Sequence, residues 1–488
     1  MSALQASTLD VQTGPLRGVA SSILTPLAAP GTPAGDRAWR WLQKQGATVT
    51  HVCGLAVDDA DVEQLSTLLT SLPVLVSIGA LGATGGLILQ ARSGATAAAV
   101  PDFLAGAARA IGRCSCLRHL DLSIGLSDER ADRVPGTVWL YLAEVCALEH
   151  LKLNIWSGRW YKSNASAKAN APHVLTGLAG LLQLRTLSLT LSNVCGGATL
   201  PACMSRLVQL TSLYLSGLCG LRCAPGWARL PALVCLQFAS CEFAADGEEA
   251  LPGMDALAAL TSLELWNCNG LPVLPTSLWR LTQLRRLAHC LWCEAPRDEL
   301  PFWGLPACAS ACAASLTGLS LMGHNMPTWP AGVLAATRLT QLDLSANSFE
   351  QLPEGVSVLT ALQELSLGRR TADDMEIGGA LDARALGSLA GFPALRHLSF
   401  SNCSVLFGPS FQAAAAHPRL VRLELETSYP ACGPSCQAFL GFAIALLQQG
   451  RAGVLRVDNS IVMGAGEHDS HRFWGALQAV GFALHDVW

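Results

Sequence analysis

Two groups of residues in this chain have the types and spacing that chemistry needs. The first is Cys290-x-x-Cys293 followed by Cys308-x-x-x-Cys312, a pattern that suits zinc if the four thiolates converge on one tetrahedral centre at about 2.3 Å. The second is Glu467-His468-Asp469-Ser470-His471. Its two histidines stand three apart, so on a helix they share a face and can hold a metal beside Glu467. Equally, Asp469 or Ser470 suits the start of the helix that follows, where its oxygen would cap free backbone amides. A third stretch, Trp156, Arg159, Trp160, Tyr161 and Lys162, interleaves aromatic and basic side chains. Such residues stack on nucleic acid bases, and one short loop of them serves a protein contact equally well.

Other chemistry finds no support. The glycines between Gly82 and Gly86 are followed by no Lys-Ser or Lys-Thr, and no G-x-S-x-G elbow occurs. Cys432-x-x-x-Cys436 has no partner ligands nearby and reads as a pair of small buried hydrophobes. No catalytic residue, cofactor or metal is expected.

What must position these residues is a phrase that returns along the chain, Leu-x-x-Leu-x-Leu, most legible at Leu339, Leu342, Leu344 and Asn347, continued by Phe349, Leu352 and Pro353. Its first leucines fall at Leu117, Leu148, Leu184, Leu210, Leu233, Leu260, Leu284, Leu316, Leu339, Leu362, Leu395 and Leu420, at spacings of 23 to 36 residues. Within each phrase the second and third apolar residues alternate with polar ones, the period of a short strand with one buried face. Copies that all point one way align in parallel, joined by returning segments. The short copies end in Leu274-Pro275, Trp329-Pro330 and Leu352-Pro353, which suits a single helical turn. Longer copies contain Gly136 to Ala147, His173 to Gln183 and Ala380 to Phe392, long enough for true helices.

The phrase resembles the leucine-rich repeat, and the resemblance covers Leu117 to Glu426. It implies an α/β solenoid, a curved horseshoe with a parallel sheet on the concave face and helices or short helical turns on the convex face. It also implies that the residue eight after the first leucine, here Cys241, Cys268, Asn347 or Cys403, turns inward onto neighbouring backbone. Trp41-Leu42 with Gly46, Val49 and Val52 is loosely similar to the first coil of F-box-linked leucine-rich repeat proteins. That implies a ubiquitin-ligase substrate receptor, yet no F-box pattern precedes Trp39, where Pro26, Pro30 and Pro33 break any helix. The expected organisation is a tail over 1–35, a cap with degenerate repeats over 36–110, repeats over 111–450 and a second cap over 451–488.

In that register the residue between the second and third leucine faces the concave side, as do its neighbours two positions away. The row is mostly small and polar. It changes character at Tyr214, Gln237, Glu264, Trp266 and Arg286, which include the types that dominate interface energetics and form the expected protein-binding centre. His119, His150 and His397 precede their second leucines and are expected to be exposed, with no carboxylate or cysteine completing a site. Cys290 and Cys293 would follow a strand while Cys308 and Cys312 lie in the return segment, so a ladder cysteine and a buried helical pair stand beside zinc as a reading.

Composition agrees with a binding solenoid. Of 488 residues 51% are hydrophobic and 14% charged, with net charge −4, which points away from nucleic acid and anionic membrane surfaces. No apolar run reaches the ~18 residues of a membrane span, and the first 35 residues carry no secretory pattern. The 18 cysteines are then expected to stay reduced. The expected protein is a non-catalytic scaffold, monomeric and cytoplasmic, that binds a protein partner. Similar intracellular repeat proteins imply the ciliary cytoskeleton as an alternative.

Overall fold

The computed structural model describes the chain between residues 40 and 457, except for 41, 45, 53–54, 59–60, 80–85, 91–98, 127–135, 158–176, 193–198, 225, 245–250, 272–273, 292–309, 325, 348–352, 354, 370–379, 382–390, 402–403, 406–416, 418 and 427–454. The chain divides into two compact units. The first holds residues 1–260 and 268–271, the second 261–267 and 272–488.

Each unit is built on parallel strands, one for each Leu-x-x-Leu-x-Leu phrase. In the first unit β1 (His51–Val52) and β2 (Leu55–Asp58) pair with β3 (Ser77–Ile78) and β4 (Leu87–Gln90), and both of these pair with β5 (His119–Leu126). There follow β6 (His150–Ser157), β7 (Thr186–Ser192), β9 (Ser212–Ser216) and β11 (Cys235–Ala239), each parallel to the one before. Two short strands, β8 (Thr199–Leu200) and β10 (Arg222–Cys223), form a separate two-stranded pairing. In the second unit the series runs β12 (Ser262–Trp266), β13 (Arg286–Cys290), β14 (Gly318–Ser320), β15 (Gln341–Asn347), β16 (Glu364–Arg369), β18 (His397–Ser401), β20 (Arg422–Glu426) and β21 (Leu455–Val457).

The register is the one the leucines dictate. Asp121, Lys152, Ser188, Tyr214 and Gln237 stand opposite one another in the first unit. Glu264, Ala288, Ser320, Asp343, Ser366, Ser399 and Glu424 do so in the second. The flanking leucines are buried, as in Leu213, Leu215, Leu263 and Leu265, each at most 1% exposed. The fold is that of a leucine-rich-repeat solenoid.

Proline sets the return path. Pro201, Pro275 and Pro330, with φ of −75°, −58° and −69°, each precede a one-turn 3-10 helix, at Ala202–Arg206, Thr276–Arg280 and Ala331–Ala335. The ring holds φ where such a turn begins, and the missing N–H has no partner to lose there. Longer copies of the first unit carry true helices: α1 (Val62–Thr70), α2 (Ala99–Gly112) and α3 (Gly136–Ala143), packed in sequence. The expectation of a helix from Ala380 to Phe392 is corrected at its start. Ala380–Leu381 is a strand, β17, paired with β19 (Ser404–Val405).

Inward turns follow the strands. Asn347 Nδ2 donates to the carbonyls of Leu321 at 2.7 Å and Leu344 at 3.0 Å, and its Oδ1 accepts from Met326 N at 3.2 Å. Cys241 and Cys268 do the same more weakly, the first reaching Leu215 O and the second Phe238 O, both at 3.5 Å. The residue just before each of the three, Ser240, Asn267 or Ala346, has φ of 48° to 55°. That left-handed turn aims the next side chain into the coil, and a non-glycine residue accepts its strain. Cys403 lies outside the described residues. Among those described, no helix is long and apolar enough to cross a membrane.

Candidate binding surface

The strand face that holds no core presents two rows of partly exposed side chains. In the first unit the leading row includes His51, His119, His150 and Thr186, with Ser77 buried among them, and the second row Asp121, Lys152 and Ser188. His119 and His150, expected to be exposed, are half-buried and stacked, with ring centroids 4.3 Å apart and planes at 11°. His150 Nδ1 lies 2.7 Å from Thr186 Oγ1. His119 Nδ1 is shielded from solvent and has no hydrogen-bond partner among the described residues. Burial first, and then its histidine neighbour, hold the His119 imidazole below its ordinary pKa.

The same face also carries a carboxylate, Asp121. Asp121 accepts from Lys152 Nζ at 2.9 Å two residues along the same strands. Glycine makes its place: a Cβ on Gly79 would come within 2.7 Å of Asp121 Cβ, and one on Gly86 within 1.9 Å of its carbonyl oxygen. Gly79 also has φ of 84°, open to glycine alone without strain. Gly79, Asp121 and Lys152, with His119 and His150, line a shallow groove of about 320 Å³. The period-two reading had already placed Asp121 and Lys152 side by side and the histidines on the same face; what escaped it was the stacking of the two rings and their partial burial.

The expected centre falls on both units. In the first, Tyr214 and Gln237 are in register on neighbouring strands and half-buried. In the second, Trp266 Nε1 donates to Glu264 Oε2 at 3.0 Å, and Ser262 Oγ donates to Glu264 Oε1 at 3.2 Å. Glu264 thus fixes the indole. Arg286 is exposed and pairs in register with Ser262, while Trp266 pairs with Cys290. Trp266 and Arg286 therefore occupy opposite ends of adjacent strands, about 13 Å apart along the strand direction.

Arg286 is the start of a polar chain. Its Nη2 donates to Gln341 Oε1 at 3.0 Å, Gln341 Nε2 donates to Glu364 Oε2 at 2.9 Å, and Glu364 Oε1 lies 3.3 Å from His397 Nδ1. On the neighbouring row Ser320 Oγ donates to Asp343 Oδ2 at 3.0 Å, and Ser345 Oγ to Asp343 Oδ1 at 2.6 Å. Arg422 pairs with Glu424 on its own strand.

The chemical candidates resolve unevenly. Cys290 is buried beside Ser320 Oγ at 3.2 Å, and Cys312 is buried in the return segment. Burial pushes both thiols up to about 11, which leaves them protonated and poor nucleophiles. Cys293 and Cys308, Cys432 and Cys436, and Glu467 to His471 lie outside the described residues. Among those described, no group of three His, Cys, Asp or Glu could hold a metal. Trp156 belongs to β6, and its ring lies over Gly125, where a Cβ would come within 2.8 Å of it. Arg159, Trp160, Tyr161 and Lys162 are outside the described residues.

A buried histidine pair was missed. His289 takes the third-leucine position after Leu284, and His324 takes the inward position eight after Leu316. Both are 1% exposed, with His289 Nδ1 2.9 Å from His324 Nε2. The spacing rule that selected Asn347 selects His324 also.

No family model matches the chain, and no curated protein matches it. Solved structures similar to it include an internalin, InlF, from Listeria monocytogenes, at 16% identity over 65% of this chain and 77% of that one, TM-score 0.43. A leucine-rich-repeat protein of Leptospira interrogans shows 18% identity over 80% and 91%, TM-score 0.40. A plant peptide hormone receptor, RGFR1, in complex with RGF2, shows 15% over 84% and 63%, TM-score 0.44. The fold assignment stands on the strand register.

Proposed function

We propose that the chain is a non-catalytic protein-interaction scaffold that receives a protein partner on the open face of its strands. The observation that carries this reading is the paired rows themselves, in-register and partly exposed side chains on strands whose other face is filled with leucine. A solenoid gains its stability from the leucine side and leaves the other side free to vary. Tyr214 and Gln237 in the first unit, and Glu264, Trp266 and Arg286 in the second, are the proposed contacts, because Tyr, Trp and Arg concentrate binding energy. Trp266, oriented by Glu264, meets a partner with little rotamer entropy left to lose.

Proximity labelling in cells, followed by reconstitution of the strongest candidate with the purified chain, tests the reading. Direct binding of a protein by the purified chain supports it. Hydrolytic or transfer activity lost on His468→Ala and His471→Ala substitution would replace it with an enzyme. Recovery of the ubiquitin-ligase adaptor as a direct partner would favour the substrate-receptor alternative.

A further inference from the structure

We propose that the groove over His119, His150 and Lys152 in the first unit is a subsite for a carboxylate of an acidic peptide segment, taken up together with a proton. The inference rests on the protein-binding reading and names the chemistry of one contact within it.

Charge and size both point to such a ligand. Lys152 and Asp121 line the groove, and Arg118, Glu149 and Arg185, each just before its strand, form ion pairs beside them. Glu149 is held between Arg118 at 3.1 Å and Arg185 at 3.5 Å, and Asp121 is largely covered. Lys152 by contrast has 63% of its side chain exposed, so its ammonium keeps donors for an incoming oxygen. A volume of about 320 Å³ admits one or two side chains rather than a folded surface. The two carboxylates already present oppose a polyphosphate more than a single carboxylate.

The His119 imidazole takes up the proton. Rings 4.3 Å apart repel if both are charged, and Glu149, the carboxylate that acts on His119, is outweighed by burial and that repulsion. Facing it are His51 and Ser77 from the strands on one side, Arg118 and Asp121 from its own segment, and Glu149, His150 and Lys152 from the other side. A bound carboxylate is the counter-charge that makes the protonated ring favourable. Binding and protonation are then linked, and affinity rises as pH falls, by at most about tenfold per pH unit for one proton.

The test uses the purified full chain and fluorescein-labelled hexaglutamate, with hexaglutamine as the neutral probe, read by fluorescence polarisation at pH 7.5, 6.5 and 5.5. Glutamate stays ionised over this range. Hexaglutamate should bind, hexaglutamine should not, and affinity should rise about three- to tenfold from pH 7.5 to 6.5. Lys152→Gln should weaken binding at every pH, and His119→Phe, which keeps an aromatic stack, should flatten the pH dependence; circular dichroism verifies that both are folded. Equal binding of the two probes, no binding, an unchanged pH slope in folded His119→Phe, or displacement of hexaglutamate by polyphosphate at equal charge would each overturn the proposal. If it fails while an identified partner still binds the chain, the broader reading stands; if no partner binds yet hexaglutamate does, the broader reading falls alone.

Discussion

Arg286 and Gln341 touch across a strand that offers no side chain between them. The guanidinium Nη2 donates to Oε1 at 3.0 Å, and the residue in register between the two is Gly318. Two strands span about 9.6 Å, a gap that long side chains close only where nothing stands in it. A Cβ at Gly318 would meet Arg286 Nε at 3.6 Å and Gln341 Oε1 at 3.7 Å, ordinary contact distances.

Gly318→Ala is therefore expected to be tolerated. Its φ is not in the left-handed region, so alanine should raise stability by about 0.5 kcal/mol through a less flexible unfolded chain. Urea denaturation reads this directly, and a loss above about 1 kcal/mol would mean that the position needs glycine for its backbone.

The strand register has a sharp mutational signature. Leu342 is 2% exposed, and its neighbour Gln341 lies on the open face. Leu342→Asp should cost several kcal/mol by burying an unpaired charge, whereas Gln341→Ala, which loses two partly exposed hydrogen bonds, should cost about 1 kcal/mol. Similar costs for the two would show the alternation to be misassigned.

Asn347→Ala removes an amide that serves four backbone groups at once, Leu321 O, Leu344 O, Ser345 O and Met326 N. Leaving such groups buried and unpaired costs about 1–3 kcal/mol each before relaxation. The expected loss is roughly 2–4 kcal/mol, with faster amide exchange of Met326 measured by hydrogen exchange. Normal protection at Met326 would mean that the ladder bond is dispensable.

The His289–His324 pair makes a pH prediction with a definite sign. Burial lowers both imidazoles, His289 well below its ordinary value and His324 to about 4. The unfolded chain thus takes up these protons first, so stability is present above pH 6.5 and is lost as pH falls toward 4. His324 alone accounts for roughly 3 kcal/mol of that loss. His324→Asn, which restores the usual inward amide, should flatten the dependence across this window in thermal melts; an unchanged slope would show that other groups govern it.

Much of the fold was legible because leucine burial has a strict period. Once Leu117 and its successors were aligned, the row from Asp121 to Gln237 and the row from Glu264 to Glu424 followed. What escaped came from substitutions inside the pattern. His289 stands where a leucine is usual and reads as polar, although the coil buries it. The strands at 87–90 and 380–381 carry too little of the phrase to stand out. Side-chain partnerships were the least legible of all: nothing in the spacing shows that the Trp266 indole is bonded to Glu264 or that Arg286 is joined to Gln341 55 residues along the chain.

The central claim is that the open strand face binds protein, and one comparison tests it most directly. Isothermal titration of the reconstituted partner should be measured with Tyr214→Ala and Trp266→Ala, and with Leu182→Ala, an exposed residue of a return segment, as control. A loss of at least 2 kcal/mol, about thirtyfold in affinity, is expected in one or both face variants and none in the control. Folded face variants that bind with unchanged affinity, beside a Leu182→Ala variant that does not, would contradict the account.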